Sequence, residues 1–187
     1  MSPVGHLITA ASMATAFMRV NGVSWADGIA GLPAAVIAQP SLDIASSSGL
    51  TLISLGIVVG ARGPDRLEVP VYNSFTKVRR SLIPHRTLTH WPGFWIVTTM
   101  FACVSFLAME DTLFQAIACV SIGFCMSSWL HLIMDIMTPT GIPLLTPFGN
   151  RTSLNMYKTA SLGEWLCIFV FVLFSQSLAS LLSNFLG

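Results

Sequence analysis

An all-α fold is what this sequence predicts: a polytopic transmembrane helical bundle of about five spans, with one further candidate re-entrant segment. Three observations predict it. Of 187 residues, 53% are hydrophobic and only 9% are charged, where an ordinary soluble domain carries about a quarter charged residues. Mean hydropathy is +0.74, so the solvent of much of this chain is lipid. The apolar residues also gather into long runs, at 7–20, 46–61, 92–109, 112–137 and 160–185.

Taken in order, run 7–20 is short for a span, as is 46–61. Both need a thinned bilayer, snorkelling flanks or burial against other helices. Between them lies "VSWADGIAGLPAAVIAQP" (23–40), where Asp27 and Pro33 argue against a plain crossing and for a re-entrant or surface segment. Run 92–109 is just sufficient. Run 112–137 would reach about 39 Å as a helix, and 160–185 is also long enough. No repeat or low-complexity tract divides the chain, and the length suits one domain over 1–187. The four cysteines lie in apolar runs without Cys-x-x-Cys spacing, as small buried hydrophobes do. The first apolar stretch has no Lys or Arg before it, so it reads as retained and not as a secretory signal.

Charge orients the bundle. Six of nine basic residues fall between Arg62 and Arg86, and Arg151 and Lys158 lie in a later connection. Both connections are expected on the cytoplasmic side, with Glu110 and Asp111 opposite. If 23–40 does not cross, the chain starts inside and ends outside. His6, Asp65, His85, His90, His131 and Asp135 then all lie near the cytoplasmic ends of helices. The net charge of +1 says nothing about partners by itself, and no nucleic-acid partner is expected.

These residues are the candidates for chemistry. In "HLIMD", His131 and Asp135 are four apart and share a helical face. A His and a carboxylate there suit a borderline divalent metal, or an Asp orienting a structural His. In "GPDRLE", Asp65 and Glu68 are either ligands or a solvated acidic pair beside Arg62 and Arg66. In "PHRTLTH", His85 and His90 converge if one lies in a loop and the other begins a helix. Arg86 offers a planar fork for phosphate or carboxylate, and Trp91 and Trp95 suit an aromatic belt. The basic "KVRR" (Lys77 to Arg80) adds positive charge, for anionic lipid or for topology. Together, four histidines and two or three carboxylates at one membrane depth favour a metal site over scattered structural histidines.

The Gly-His near the start, the "PD" after an early apolar helix, "HRTLTH" and "HLIMDIMTPTGIPLLTPF" resemble a family of small bacterial inner-membrane proteins described as membrane-bound, metal-dependent hydrolases, which includes a LexA-regulated member. The family pattern has a PDIDHP-like segment, His-Arg-Gly-x-Thr-His, and His-x-x-x-Asp followed by Thr-Pro-x-Gly. The resemblance spans His6 to Phe148. One motif departs: this chain reads "PDRLEVP", so Asp65 matches the first Asp while the second Asp and the His are missing.

The resemblance implies a metal-dependent hydrolase in the inner membrane. The expected ligands are His6, Asp65, His85, His90, His131 and Asp135, with Glu68 as ligand or general base. Arg86, with Arg80, is expected to hold a substrate phosphate or stabilise developing charge. One or two divalent ions are expected, zinc first and manganese or magnesium next, acting on a phosphoester, with membrane lipid a candidate substrate. The proline- and glycine-rich 138–153 is a lid or a rigid connector. Two other classes use the same residues: a non-enzymatic metal carrier or sensor, and a membrane scaffold for a cytoplasmic partner.

Overall fold

The computed structural model describes residues 1–38, 41–68, 70–73, 78–81 and 86–186, with the backbone alone for 70–73 and 78–81. Helix α1 (Pro3–Val20) begins where Ser2 accepts the Gly5 N–H at 3.1 Å. Pro3 fills the first helical position, where no N–H is needed. The helix closes at Gly22, whose φ of +67 lets the Val23 N–H reach Met18 O at 3.1 Å. Helix α2 (Trp25–Ala38) starts on a reciprocal pair. Ser24 Oγ donates to Asp27 at 2.6 Å, and the Asp27 N–H donates back at 3.1 Å.

Helix α3 (Ser47–Val59) is the most buried, with Leu50, Ile53 and Ile57 in its core face. The path continues through a 3₁₀ turn (Gly60–Arg62) and the single turn α4 (Gly63–Arg66). A two-stranded hairpin follows, β1 (Pro70–Asn73) against β2 (Val78–Ser81), with Pro70 opposite Ser81. A 3₁₀ turn (Leu88–His90) leads into α5 (Pro92–Ala108). Asp111 caps α6 (Thr112–Ile136) by accepting the Leu113 and Phe114 N–H groups. Two short strands, β3 (Ile142–Pro143) and β4 (Arg151–Thr152), precede α7 (Leu162–Leu186).

Glycine sets the central contact. A Cβ on Gly60 would meet Phe124 O at 2.7 Å, one on Gly63 would meet Ser128 Oγ at 2.6 Å, and those on Gly56 and Gly123 would overlap Val120 O and Ile53 O. The matched positions rise together along both chains, so α3 and α6 run parallel at close backbone approach. In lipid, water exclusion does not drive helices together. Small residues that admit van der Waals contact do. Across the bundle, Ser12 Oγ and Ser175 Oγ lie 2.8 Å apart and Gln176 Nε2 donates to Ser12 O at 2.9 Å, tying α1 to α7.

One end of the bundle therefore gathers the start of α1, the end of α3, the start of α5, the end of α6 and the start of α7. Helix α2 packs Gly31 on Ser48 at the beginning of α3, and the Leu42 N–H donates to Gln115 near the start of α6 at 2.5 Å. Helix α2 thus lies at the opposite end of the bundle from the start of α1.

The all-α expectation fits, with two small antiparallel pairs added. The expectation of about five spans is supported only in part. Among the described residues two helices, α6 and α7, are long and apolar enough to cross a membrane by length and composition; α5 is apolar but shorter. Run 7–20 lies inside the 18-residue α1, where His6 and Arg19 lower the apolar character, and run 46–61 yields only the 13-residue α3 before a 3₁₀ turn. Exposed apolar side chains such as Leu166, Phe169, Phe174 and Leu181 line the outer surface of α7, as lipid contact requires.

The segment after α6 is a packed connector. The Leu154 N–H donates to Ile136 O and the Met156 N–H to Met137 O, each at 2.8 Å. Tyr157 Oη donates to Met134 O at 2.8 Å. These bonds satisfy carbonyls that the end of a helix leaves open; within 138–153, Ser153 Oγ donates to Thr138 O at 2.5 Å and β3 pairs with β4, as in a packed connector.

Candidate metal centre

His131 is oriented by the end of α3. Its Nδ1 lies 3.2 Å from Ala61 O. A carbonyl only accepts, so Nδ1 carries the proton and Nε2 presents a lone pair. That Nε2 is buried and has no hydrogen-bond partner among the described residues. It faces Asp135 Oδ2 at 3.6 Å and Asp65 Oδ1 at 3.7 Å. Three electron-pair donors pointed at one volume call for a cation between them.

His90 is held in the same manner. Trp95, wholly buried at the start of α5, donates from Nε1 to Thr89 O at 2.7 Å and fixes the 3₁₀ turn. Nδ1 of His90 lies 3.2 Å from Glu68 Oε1 and 3.2 Å from Thr89 Oγ1. Nε2 points the other way, 3.5 Å from both Asp65 Oδ1 and Asp135 Oδ2. His6 reaches Asp135 Oδ1 with Nε2 at 3.6 Å. Its ring stacks on His131 with centroids 3.6 Å apart and planes 7° apart. The terminal ammonium of Met1 also lies on Asp135 Oδ1, at 2.6 Å.

Two three-residue groups result: His6, His131 and Asp135, and Asp65, His90 and His131. Within each, the ligand atoms lie within 4.8 Å of one another. His131 belongs to both. Imidazole nitrogen with carboxylate oxygen is a donor set that suits zinc and, with more oxygen, manganese or magnesium. The residues present therefore fit a divalent cation.

Glu68 sits outside this volume. Its Oε1 accepts the Arg86 N–H at 2.9 Å and the Thr89 hydroxyl at 3.0 Å, and it meets His90 on the ring nitrogen turned away from the centre. A carboxylate behind a metal-binding imidazole fixes its tautomer and raises its basicity. That geometry differs from the ligand or general-base roles expected of it. Glu68→Gln is expected to lower divalent-metal affinity by about 10–100-fold while the protein stays folded. Competitive metal titration in detergent measures it, and unchanged affinity would refute the orienting role.

Arg86 is also placed otherwise than expected. Its NH2 lies 3.0 Å from Asp135 Oδ2. Its NH1 donates to Thr138 Oγ1 at 3.3 Å, to Gly141 O at 3.1 Å and to Thr140 Oγ1. The side chain is buried, and its backbone takes φ +57, a conformation costly for a non-glycine residue. The guanidinium is thus engaged with the Thr-Pro-Thr-Gly turn and Asp135, and does not line an open path to substrate. His85 and Lys77 lie outside the described residues, and Arg80 lies on β2, where the backbone alone is described.

Electrostatics follow the same geometry. Burial opposes charge on Asp65, but hydrogen bonding to His90 and the fields of His131, His90 and His6 outweigh it and hold the carboxyl at about 2. Burial alone would lower the pKa of His90. Hydrogen bonds to Asp135 and Asp65 and the negative fields of Asp135 and Glu68 overcome that and raise it above 6.5. A metal must displace this proton. Metal retention is therefore expected to strengthen as pH rises through the raised His90 value and to fall below it. Metal content after dialysis at stepped pH measures this, and a flat profile would contradict it.

Glu164 was not anticipated. It is 1% exposed, and its Oε1 accepts from the Ser2 N–H at 2.6 Å and from Ser2 Oγ at 2.5 Å, while Oε2 accepts from Ala160 N–H. It locks the start of α1, and with it His6, to α7. The available signal was a carboxylate in the first turn of a long apolar helix, where lipid makes charge expensive.

A helical bundle with lipid-facing apolar surfaces and a buried His–carboxylate cluster at one end defines a class: a membrane protein with a candidate divalent-cation centre. The family follows from comparison. Residues 1–185 match the model of the YdjM inner membrane protein family, and the chain belongs to that family. Its description names a membrane and no reaction. No curated protein and no solved structure matches the chain.

Proposed function

We propose that this protein is a metal-dependent hydrolase of phosphoesters with its centre at the cytoplasmic face of the inner membrane. The observation that carries the reading is His131 Nε2, buried without a hydrogen-bond partner among the described residues and aimed at Asp65 and Asp135. His6, Asp65, His90, His131 and Asp135 would hold one or two ions, zinc first. A divalent ion bound there supplies Lewis acidity and lowers the pKa of water to near neutrality. Of the five side chains, only Asp65 is partly exposed, at 27% against 0–2% for the others. Water and substrate therefore approach over Asp65.

The same end of the bundle carries the basic connections, with Arg62, Arg66, Arg151 and Lys158, which supports a cytoplasmic orientation. The alternating directions of α1, α3, α5, α6 and α7 support a multi-pass chain in which the shorter helices cross beside the two long ones. The whole chain then acts as one domain.

The test is metal analysis of the purified protein, then hydrolysis of bis(4-nitrophenyl) phosphate by the metal-loaded form. Tight metal and chelator-sensitive turnover are expected, both lost in His131→Ala. Metal without turnover would favour a carrier or sensor, and protein free of metal would favour a scaffold. Turnover unchanged in His131→Ala would end the catalytic assignment.

A further inference from the structure

A cavity of about 260 Å³ opens between the start of α1 and the end of α3, on the other side of Ala61 from His131. Its walls are Val4, Leu7, Val58 and Val59, and its polar rim is Arg62 and Arg66. Among the described residues no acidic side chain lines it. Asp65, between the two arginines in sequence, turns instead to His90 and His131. Arg62 Nε is buried and has no hydrogen-bond partner among the described residues. Arg66 has a long 3.5 Å bond to Val59 O. Val4, Leu7 and Val59 are each about half exposed, so the mouth is apolar on a protein of the inner membrane.

An apolar slot rimmed by two guanidiniums matches one kind of molecule, an acyl chain joined to a phosphate. We infer that this cavity binds the headgroup phosphate and upper acyl chain of an anionic phospholipid. Free phosphate matches only the rim and leaves the valine and leucine walls unfilled. A zwitterionic lipid brings a cation against Arg62 and Arg66. The occupant therefore carries net negative charge and a hydrocarbon tail. As the substrate class of the neighbouring centre it rests on the hydrolase reading; as a binding site it stands alone.

The experiment uses the full chain in dodecylmaltoside micelles with chelator present, so that binding is read without metal. Micelles are doped with phosphatidylglycerol or phosphatidylcholine, and retained lipid is counted by native mass spectrometry. Phosphatidylglycerol is expected to be retained in preference, undiminished by excess inorganic phosphate. The double variant Arg62→Gln/Arg66→Gln is expected to weaken retention by about thirtyfold. Arg62→Lys/Arg66→Lys restores most of it, and Lys158→Gln leaves it unchanged. Circular dichroism and gel filtration check that each variant is folded. Equal retention of the two lipids, displacement by phosphate, or full retention in the folded double glutamine variant would each overturn the proposal. Retention that persists in His131→Ala, beside lost metal, separates failure of the hydrolase reading from failure of this one.

Discussion

Asp135→Ala is expected to empty the centre of metal and to destabilise the protein by about 3–5 kcal/mol, the cost of leaving a buried charge without its partner. Asp135 is where the contacts converge. Oδ1 meets the terminal ammonium at 2.6 Å and His6 at 3.6 Å; Oδ2 meets Arg86 at 3.0 Å, His90 at 3.5 Å and His131 at 3.6 Å. Removing the carboxylate strands the Arg86 guanidinium in a buried site. It also takes away the oxygens that face three imidazoles. Metal content and thermal unfolding of the purified variant measure the two effects. Asp135→Asn separates them, because the amide keeps the shape and a hydrogen-bond acceptor but loses the charge. It is expected to fold better than the alanine variant and still to lose metal. Wild-type metal content in Asp135→Ala would remove this residue from the centre.

The second large effect is remote from the chemistry. Gly123→Val is expected to destabilise by about 3 kcal/mol, the upper end for overpacking, and to lower metal retention with it. Gly123 faces the backbone of α3 at Ile53 and Ile57, with no room for a Cβ. A branched side chain there pushes two parallel helices apart. Ala61 and Asp65 follow α3, and His131 and Asp135 ride on α6. Separation therefore pulls His131 Nδ1 off Ala61 O and moves Asp65 away from His131. Ile117→Val, on the exposed side of α6, is the control, with an effect within about 0.5 kcal/mol. Wild-type stability and metal content in Gly123→Val would show that the close α3–α6 approach does not govern the site.

Much of the site could be read in the chain as a set of residue types at helix ends. His131 and Asp135 share a face by their spacing alone. The positive-inside asymmetry led to the expectation of one depth for His6, Asp65 and His90, and in the structure their side chains meet around His131. The roles of Glu68 and Arg86 could not be read this way. Glu68 looked like a ligand because it follows Asp65 by three residues, yet it meets His90 from behind. Arg86 looked like a phosphate grip because it stands beside two histidines, yet it is bound within the protein by Asp135, Thr138, Thr140 and Gly141. Glu164 went unnoticed because one acidic residue at a helix start has an ordinary capping explanation. Apolar run length alone did not separate the two helices that meet the length and composition of a span, α6 and α7, from the shorter or more polar α1, α3 and α5.

Composition and apolar run length alone determined a helical membrane protein, since backbone groups in lipid must be satisfied within each segment. The order of charges along the chain led to an expectation of which helix ends lie together. Only the tertiary structure decided that α3 runs parallel to α6 at glycine distance, that a carbonyl from one orients an imidazole on the other, and which ring nitrogens face the centre. Those outcomes depend on contacts between residues some 70 positions apart, such as Ala61 and His131. Local propensity and periodicity carry no information about which distant backbone oxygen will meet a given side chain.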